Sequence, residues 1–579
     1  MNLLVISIFL PLVGAAAVWA MAPGGKATAR MVALITVIAT LICAGLVVAD
    51  FDPSVGDQYA IDLQWLGLGD DALDVRFSLG LDGLSVWLYG LSALLMITSV
   101  LVSWEAIDDR APAFYTLLLL LESGMLGVFA ARDIMLFYVF FEFTLIPLFF
   151  LIGMWGYEER RYAAVKFFVY TLAGSVLTFL GLIAIILWVY FESGTMTFSI
   201  ARLGEELAAT PLPKVAQWWI FIALFAGFAV KVPLFPFHTW LPLAHVQAPT
   251  AGSVILAGIL LKIGTYGFVR FSIPMLPDAS AALMPFVLWL SVAGIIYGAL
   301  VALAQSDMKR LIAYSSVSHL GFCMLGLFAF NKLGIQGGML QMINHGLSTG
   351  ALFALVGMLY ERYHTREIKE LGGLARRTPW LAACMLLMTF SSIGLPGLNG
   401  FAGEFLLLIG MFQRAWAEAP GLWQTQFLVI AVLAVSGVVL GAWYMLWLIQ
   451  RVFFGPLNEA THAAGDPPVR DLSLRELAAI APIAVFVFWI GLQPQFFLKR
   501  MEPAVDELVA TVAPRVPQVL VEGDDGTAQD EPLAASNDGG REHVAQPALT
   551  GQSGEQVSLT IADSVSLHER NSMPPPPER

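Results

Sequence analysis

The amino-acid sequence predicts an all-α polytopic membrane protein, and three observations support this fold class. The chain has 579 residues, of which 58% are hydrophobic and 13% charged, whereas about a quarter of the residues in soluble domains are charged. Its mean hydropathy is +0.74. Apolar runs of about 20 residues, the length that crosses a bilayer as a helix, recur along most of the chain.

We predict about fourteen transmembrane helices from these runs. The first has no cationic n-region and no small-residue cleavage site, so it is interpreted as a span rather than a signal peptide. The predicted ranges are 2–21, 31–49, 84–103, 113–131, 133–155, 162–191, 215–245, 249–273, 282–304, 309–330, 333–360, 379–412, 425–450 and 476–496.

Predicted spans 7 and 12 are too long for one straight crossing, and each is interrupted. The interruptions are "VPLFPF" and "GLPGLNG". Each broken span stands fourth in a group of five, and a repeat unit with an odd number of spans must be inverted in the membrane. Spans 4–8 and 9–13 are therefore predicted to form two five-helix inverted repeats, and matched broken helices indicate a transporter's ion site.

Lysine and arginine are concentrated in the loops on one side, which predicts that both termini lie on the outer face. The predicted organisation is a transmembrane domain over 1–499 that contains an outer-face loop at 51–82 with room for short strands. An amphipathic outer-face helix at 500–518 follows. The acidic stretch 519–579 is predicted to be disordered because it has too little apolar surface to form a core.

Several kinds of site are excluded by the residue content. The three cysteines are scattered in apolar segments without C-x-x-C spacing, which argues against a cysteine-ligated iron–sulfur cluster or a disulfide framework in this chain. The chain also has no phosphate-binding glycine motif and no basic patch for nucleic acid.

The informative residues are charges inside predicted spans. Glu122, Glu142, Lys231, Lys262 and Glu404 lie within apolar helices. Each costs roughly 2.5–3.5 kcal/mol on insertion scales and needs a compensating arrangement. Together with His319 and His345, most of them fall near the middle of the bilayer by helical rise.

The helix breaks help to explain two of these charges. Pro233 and Pro236 are expected to free backbone carbonyls and to leave Lys231 near the negative end of a half-helix. In predicted span 12, Asn399 or Gly400 is expected to cap a new half-helix, with Glu404 in its first turn.

Simpler interpretations remain open for each residue. Glu142 and Lys231 could form a static salt bridge, and Glu122 could be a second partner near Glu142. His319 and His345 could be core histidines or haem ligands. His238 could be an entrance residue on the inner face or an ordinary loop residue, and the same applies to His245.

Read together, these residues resemble those of the antiporter-like subunits of bacterial NADH–quinone oxidoreductase (respiratory complex I), of the subunit M type. The resemblance covers roughly 80–455 and does not extend to the tail. The stretches that carry it are "LFYVFFEFTLIP", "YAAVKFFVYTLAGS", "KVPLFPFHTWLPLAHVQAPTAGSVILAGILLKIGTYGF", "LIAYSSVSHLGF", "MINHGLSTGALF" and "FSSIGLPGLNGFAGEF".

The resemblance implies roles for particular residues. Glu142 and Lys231 match the family's paired glutamate and broken-helix lysine, and Lys262 matches its central relay lysine. Glu404 matches the acid of the second broken helix, where sister subunits usually carry lysine. His319 and His345 match histidines on the connecting route, Glu122 an auxiliary acid, and His238 a possible entrance. Leu243 departs from the pattern, because relatives often carry a charge there.

The function implied is proton translocation from cytoplasm to periplasm across the bacterial inner membrane, coupled to quinone reduction in other subunits. No cofactor is expected in this chain, whereas FMN, iron–sulfur clusters and quinone are expected in partner subunits. The expected partners are other membrane-arm subunits, including two antiporter-like neighbours, and lipid, with no nucleic acid. Two alternatives stay open: a subunit of an Mrp-type sodium/proton antiporter or membrane-bound hydrogenase, and a passive scaffold.

Overall fold

The structure is a computed structural model that describes residues 2–67, 74–194, 196–418, 420–459 and 469–516. The predicted disordered tail at 519–579 lies outside these residues. Within them the chain is predominantly α-helical, which confirms the predicted fold class. The helices of the N-terminal half are α1 (Leu3–Ala20), α2 (Gly25–Ala49), α3 (Val86–Ala106), α4 (Ala111–Ala130), α5 (Ile134–Phe143), α6 (Leu145–Trp155), α7 (Arg160–Ser193), α8 (Ile200–Ala209), α9 (Lys214–Lys231) and α10 (Trp240–Gln247).

The C-terminal half begins with three short helices joined by two π-helical segments, Leu256–Leu260 and Phe268–Ser272. The helices of this half are α11 (Thr250–Ile255), α12 (Leu261–Gly267), α13 (Ile273–Met275), α14 (Pro277–Leu303), α15 (Met308–Leu327), α16 (Lys332–Tyr363), α17 (Pro379–Ser392), α18 (Asn399–Trp416), α19 (Leu422–Phe453), α20 (Leu474–Leu492) and α21 (Pro494–Val512).

Twelve helical stretches among the described residues are long and apolar enough to cross a membrane. Two predicted spans are not among the twelve, although helices occupy their positions. The first is α15, and the second is the pair α17 and α18. The count of about fourteen and the inverted relation of the two five-helix groups therefore stay predictions.

Both predicted helix breaks are present. Helix α9 ends at Lys231, and α10 begins at Trp240 after a series of turns. Helix α17 ends at Ser392 and α18 begins at Asn399. The sequence did not reveal the two π-helical segments of predicted span 8, because π turns have no residue signature comparable to proline.

The predicted outer-face loop contains an antiparallel hairpin of β1 (Gln58–Gly67) and β2 (Asp74–Leu81). A second, minimal pairing joins β3 (Leu371–Gly372) to β4 (Asn458–Glu459). The Asn2 side chain donates to the Tyr59 carbonyl at 2.6 Å, so the first helix begins beside the hairpin. We call the side of the bundle formed by residues 50–82, α8 and α21 the hairpin face.

A charged cluster fastens the hairpin face to the bundle. Asp82 accepts bonds from both guanidinium nitrogens of Arg270 at 2.7 Å and one from Arg132 at 3.1 Å. Arg132 also pairs with Asp57, just before β1, at 2.5 Å. Asp82 further accepts the backbone N–H groups of Leu84 and Ser85 at the start of α3. One carboxylate thus ties the hairpin to α3, to the π-helical segment Phe268–Ser272 and to the link between α4 and α5.

Helix α21 is amphipathic, as predicted, but it begins earlier than expected, at Pro494. Proline at a first helical position is favourable because its missing N–H has no partner there in any case. The buried face of α21 packs against its own chain, chiefly α16, α14, α13 and α20. That face consists of Phe497, Leu498, Met501, Val505, Leu508 and Val512.

The most deeply buried elements carry the predicted functional residues. Every residue of the best apolar window in Thr250–Met275 is buried, and the same holds for Lys332–Tyr363. The corresponding windows of α1, α2 and α20 are only about a third buried. The polar groups of predicted span 8 and α16 are therefore shielded from lipid by protein.

Candidate functional site

Lys231 is the last residue of α9 and is 7% exposed. Its ammonium lies 4.5 Å from the centroid of the Phe141 ring, a cation–π contact. The carbonyl of Ala229 accepts from the Leu234 N–H at 3.0 Å. The carbonyl of Val230 accepts from the Trp240 indole at 2.9 Å. The break thus satisfies these two carbonyls locally, whereas we expected the prolines to leave backbone carbonyls free beside the lysine.

Glu142 lies in the last turn of α5 and is partly buried. Its Oε1 atom is buried without a hydrogen-bond partner. Among the described residues no ion pair joins it to Lys231 within 4 Å, although the two charges interact over a longer distance. A cavity of about 10 Å³ adjoins Lys231, lined in part by Thr144 and Trp240, and this is room for about one water. The structure therefore shows the two groups apart rather than as a static salt bridge.

Lys262 lies in α12, directly after the first π-helical segment, and is 0% exposed. Its ammonium contacts the Ala257 carbonyl within that segment. It also lies 2.6 Å from Nδ1 of His345 on α16. A buried lysine bound to a neutral imidazole and a carbonyl is hydrogen-bonded but has no counter-charge in contact.

Two histidines continue the series from Lys262. The rings of His345 and His319 have centroids 5.6 Å apart. Nε2 of His319 lies 3.2 Å from the Ser392 hydroxyl, in the last residue of α17. Nδ1 of His319 lies 3.5 Å from Oε1 of Glu404. The four side chains of Lys262, His345, His319 and Glu404, which we call the central series, therefore follow one another across α12, α16, α15 and α18.

Glu404 is 5% exposed and accepts a 3.0 Å hydrogen bond from the Gln341 amide. It is the sixth residue of α18, so it lies in the second turn and not in the first, as we expected. The capping expectation is also wrong, because α18 begins at Asn399 with Leu398 as its cap residue. The Asn399 side chain instead accepts from Ser391 at 2.5 Å and bridges α17 to α16.

A small polar chamber beside the central series was missed by sequence reasoning. Its volume is about 10 Å³, and Asn344 donates into its wall, to Gln341 at 3.2 Å and to the Asn399 carbonyl at 2.7 Å. A sequence signal for it exists, since four polar residues of α16 recur at helical spacing on one face. These residues are Gln341, Asn344, His345 and Ser348.

Glu122 and His238 are not brought to the central series. Glu122 is 0% exposed, and neither of its carboxyl oxygens has a hydrogen-bond partner. It is not hydrogen-bonded or ion-paired to Glu142 or Lys231. His238 is 3% exposed and packs its ring against Phe235 and Tyr297.

His245 occupies a position that the sequence left undecided. It is fully buried, stacks on Phe353 with ring centroids 4.4 Å apart, and has no hydrogen bond to either ring nitrogen. It interacts through charge with both Lys262 and Lys309. Lys309, at the start of α15, is buried and donates to the Ala248 carbonyl at 2.6 Å. His245 is therefore near enough for the charges of both Lys262 and Lys309 to act on it.

Within the described ranges, no group of three or more His, Cys, Asp or Glu side chains could hold a metal ion. The arrangement consists of protonatable side chains that are enclosed by protein.

Comparison with known proteins assigns the family. The family described as "NADH:quinone oxidoreductase/Mrp antiporter, TM" matches residues 131–435. The NADH-quinone oxidoreductase subunit M of Rhodobacter capsulatus is 42% identical over 523 residues, which cover 88% of this chain and 96% of that protein.

Solved structures agree with this assignment. A chain of respiratory complex I from Thermus thermophilus with bound NADH has a TM-score of 0.75 and 32% identity, over 88% of this chain and 99% of that one. A chain of the Mrp complex from Dietzia sp. DQ12-45-1b has a TM-score of 0.73 and 23% identity, over 88% of this chain and 52% of that one, and shows the fold alone. The chain therefore belongs to the NADH–quinone oxidoreductase subunit M family.

Proposed function

We propose that the chain moves protons from cytoplasm to periplasm as a membrane-arm subunit of NADH–quinone oxidoreductase. The observation that carries this proposal is the central series, in which four protonatable side chains from four helices meet in the protein interior. Lys262 contacts His345 at 2.6 Å, and His319 lies 3.5 Å from Glu404. A scaffold protein has no need for buried lysine, histidine and glutamate in succession, since each burial is unfavourable.

The proton's path follows from the donors and acceptors in the series. The Lys262 ammonium has only donors, so Nδ1 of His345 accepts from it and the neutral ring carries its hydrogen on Nε2. Transfer to Nδ1 leaves a neutral lysine and a doubly protonated imidazole, which can release its Nε2 proton toward His319. His319 in turn delivers a proton to Glu404, whose carboxylate is held by Gln341.

In this proposal the distance between Glu142 and Lys231 controls whether Lys231 is protonated. Their separation in the structure leaves the lysine with an aromatic ring and space for water instead of a carboxylate. Approach of Glu142 would stabilise the charged lysine, because an opposite charge within about 4–6 Å favours the ionised form. A change of about 1.4 kcal/mol in the interaction between Glu142 and Lys231 alters the proton equilibrium of the lysine tenfold. A modest movement of Glu142 is therefore sufficient to change how readily Lys231 holds its proton.

His245 supports an entry route to the central series. Both of its nitrogens are free of hydrogen bonds, and its charge interactions link Lys309 to Lys262. We therefore assign the entry position to His245 in place of His238, on which neither of these lysines acts. Glu122 stays a proposed auxiliary acid without a contact to the series.

The energy for transport would come from other subunits, which hold FMN, iron–sulfur clusters and the quinone site. The neighbours of this chain would be further membrane-arm subunits, including two antiporter-like ones, in the bacterial inner membrane. Both termini would then face the periplasm.

The proposal is tested by Lys231→Ala and Glu142→Ala in the assembled complex, with proton translocation by inverted vesicles measured per NADH oxidised. We expect assembly to persist and pumping to fall in both variants. Unchanged pumping together with unchanged quinone-coupled turnover would favour the scaffold alternative. Activity that requires sodium would instead favour the antiporter alternative.

A further inference from the structure

An apolar slot lies outside the central series, between α2, α3, α16, α20 and α21. Its volume is about 240 Å³, and its lining is almost wholly apolar. Leu41, Gly45 and Ala49 line it from α2, and Trp87 and Leu94 line it from α3. No proton-relay residue touches it, so the slot needs a separate explanation.

The slot runs along α2 over a length that matches one half of a bilayer. Leu41 and Ala49 are eight residues apart on α2, which corresponds to about 12 Å of helical rise. Half of a hydrocarbon core is about 15 Å thick. A helix about 10 Å wide does not fit a slot of this volume, whereas an extended acyl chain matches both its length and its lining.

Arg500 of α21 stands at the hairpin-face end of the slot. Its guanidinium lies 4.1 Å from the ring centroid of Phe496 and 5.6 Å from that of Trp87, and both rings line the slot. One of its nitrogens donates to the Phe496 carbonyl at 3.3 Å, and its Nε is buried without a partner. Arg500 also lines a neighbouring cavity of about 950 Å³ on the hairpin face, which has room for a headgroup.

Arg500 differs from the other buried or partly buried arginines of the described ranges, because each of those has a carboxylate within 4 Å. Burial lowers the pKa of Arg500, and no acid acts in the opposite direction. The guanidinium is therefore short of a counter-charge. The paired arginines are Arg30, Arg76, Arg132, Arg270, Arg362, Arg366, Arg414 and Arg475.

We propose that the slot binds an acyl chain of an anionic phospholipid whose phosphate pairs with Arg500. Arginine is suited to phosphate because its planar fork donates two parallel hydrogen bonds. This assignment does not depend on the proton route.

Gly45 provides a way to block the slot without disturbing the bundle. A Cβ atom built there meets nothing within 4 Å. Gly45→Leu would therefore project a side chain into the slot, while Gly45→Ala would leave most of it open. Lys499→Gln removes a neighbouring charge that does not contact the slot and serves as the control for Arg500→Gln.

The experiment uses the assembled complex, stripped of loosely held lipid and exposed to vesicles of phosphatidylglycerol or phosphatidylcholine. Retained lipid is counted by mass spectrometry. We expect wild type, Gly45→Ala and Lys499→Gln to retain phosphatidylglycerol in preference to phosphatidylcholine. Arg500→Gln and Gly45→Leu should each reduce this retention at least fivefold, with NADH oxidation showing that the complex is intact.

Two results would overturn the assignment. One is equal retention of both lipids that is insensitive to Arg500→Gln and Gly45→Leu. The other is preferential retention of phosphatidylglycerol that neither Arg500→Gln nor Gly45→Leu reduces, which would place the bound lipid elsewhere in the complex.

Discussion

Lys262 is bound by an imidazole rather than a carboxylate, and this choice of partner determines what the residue can do. A buried ion pair resists separation, because removing one partner typically destabilises by about 3–5 kcal/mol. His345, at 2.6 Å, can accept the proton and then release it from its other nitrogen. The pair therefore suits transfer better than storage of charge.

Replacing His345 tests this transfer directly. His345→Gln keeps a side-chain acceptor for Lys262 but removes the group that is protonated. We expect the rate of proton translocation to fall at least tenfold, which is about 1.4 kcal/mol of barrier. The exposed His364 follows the same helix, so His364→Gln should leave pumping unchanged. Equal pumping in wild type and His345→Gln would remove His345 from the route.

The position of Glu404 depends on a glycine in the second break. Gly394 has φ +72°, and a Cβ there would lie 2.8 Å from Oε2 of Glu404. Gly397 has φ +93° but nothing within 4 Å of its Cβ position. Both alanine variants carry a similar backbone penalty of about 1–2 kcal/mol, because an L-residue is unfavourable at positive φ.

We therefore expect Gly394→Ala to lower pumping and Gly397→Ala to leave it near wild type, although both should reduce thermal stability slightly. Vesicle pumping and melting of the purified complex measure the two effects. If both variants pump equally, the position of Glu404 is not critical.

At the residue scale, the sequence identified the charges but not their partners. Lys231, Lys262, Glu142 and Glu404 stand out because a charge in an apolar run is unfavourable and rare. Which side chains meet depends on helix rotation and tilt, and hydropathy does not encode these. For this reason the isolation of Glu122 was not foreseeable, nor was the bond from Gln341 to Glu404.

At the element scale, close helix approach creates the contact between Lys262 and His345. Gly346, next to His345 on α16, faces the π-helical segment that precedes Lys262. A Cβ at Gly346 would lie 2.7 Å from the Gly258 carbonyl. Small residues allow membrane helices to pack at such distances.

Gly346→Ala should push these two elements apart. We expect a loss of about 1–3 kcal/mol in stability from overpacking, and lower pumping as the Lys262–His345 bond lengthens. Gly350→Ala is the matched control one turn further along, where the nearest atom would be 3.5 Å away. There the gain in helix propensity should leave stability equal or higher. Melting and vesicle pumping of the two variants decide between these outcomes, and similar losses in both would contradict the close-packing explanation.

The two helix breaks could be predicted from the sequence, whereas the two π-helical segments could not. Proline and glycine mark the breaks after Lys231 and Ser392, because they remove backbone hydrogen bonds or permit positive φ. The π-helical segments Leu256–Leu260 and Phe268–Ser272 contain no proline, and none of their residue types is typical of a wider turn. Leu256–Leu260 packs against α16 and Phe268–Ser272 packs against α9. These partners lie elsewhere in the chain, so one chain segment considered alone contains no signal for the wider turns.

At the scale of the whole molecule, Asp82 connects the hairpin to the helices. Asp82→Asn would leave Arg132 and Arg270 short of negative charge in a largely buried site. We expect the complex to lose about 3 kcal/mol of stability at this subunit. Thermal melting and protease cleavage within 51–82 would measure the effect. Asp62→Asn, which affects an exposed pair on the same hairpin, is the control and should change stability by less than about 1 kcal/mol.

The Asp82 carboxylate also makes the stability of the hairpin face depend on pH. Burial acts to raise the pKa of Asp82, but the charges of Arg132 and Arg270 outweigh it and hold the pKa well below its ordinary value. A lowered pKa means that the stabilisation is present above about pH 4, the ordinary aspartate value, and is lost as the pH falls further. Protease cleavage of the hairpin should therefore increase below about pH 4 in wild type. Asp82→Asn should already be cleaved at neutral pH.

The complete enclosure of predicted span 8 has a consequence for how the protein is made. This segment carries Lys262 and Arg270, and its best apolar window is wholly buried by other helices. A single lysine or arginine at mid-membrane is disfavoured by about 2.5–3.5 kcal/mol during insertion from the translocon. The segment is thus poorly suited to move from the translocon into lipid by itself. Its stable membrane insertion should await α16, which is synthesised later and supplies His345. We therefore expect several helices of this region to enter the membrane together rather than one after another.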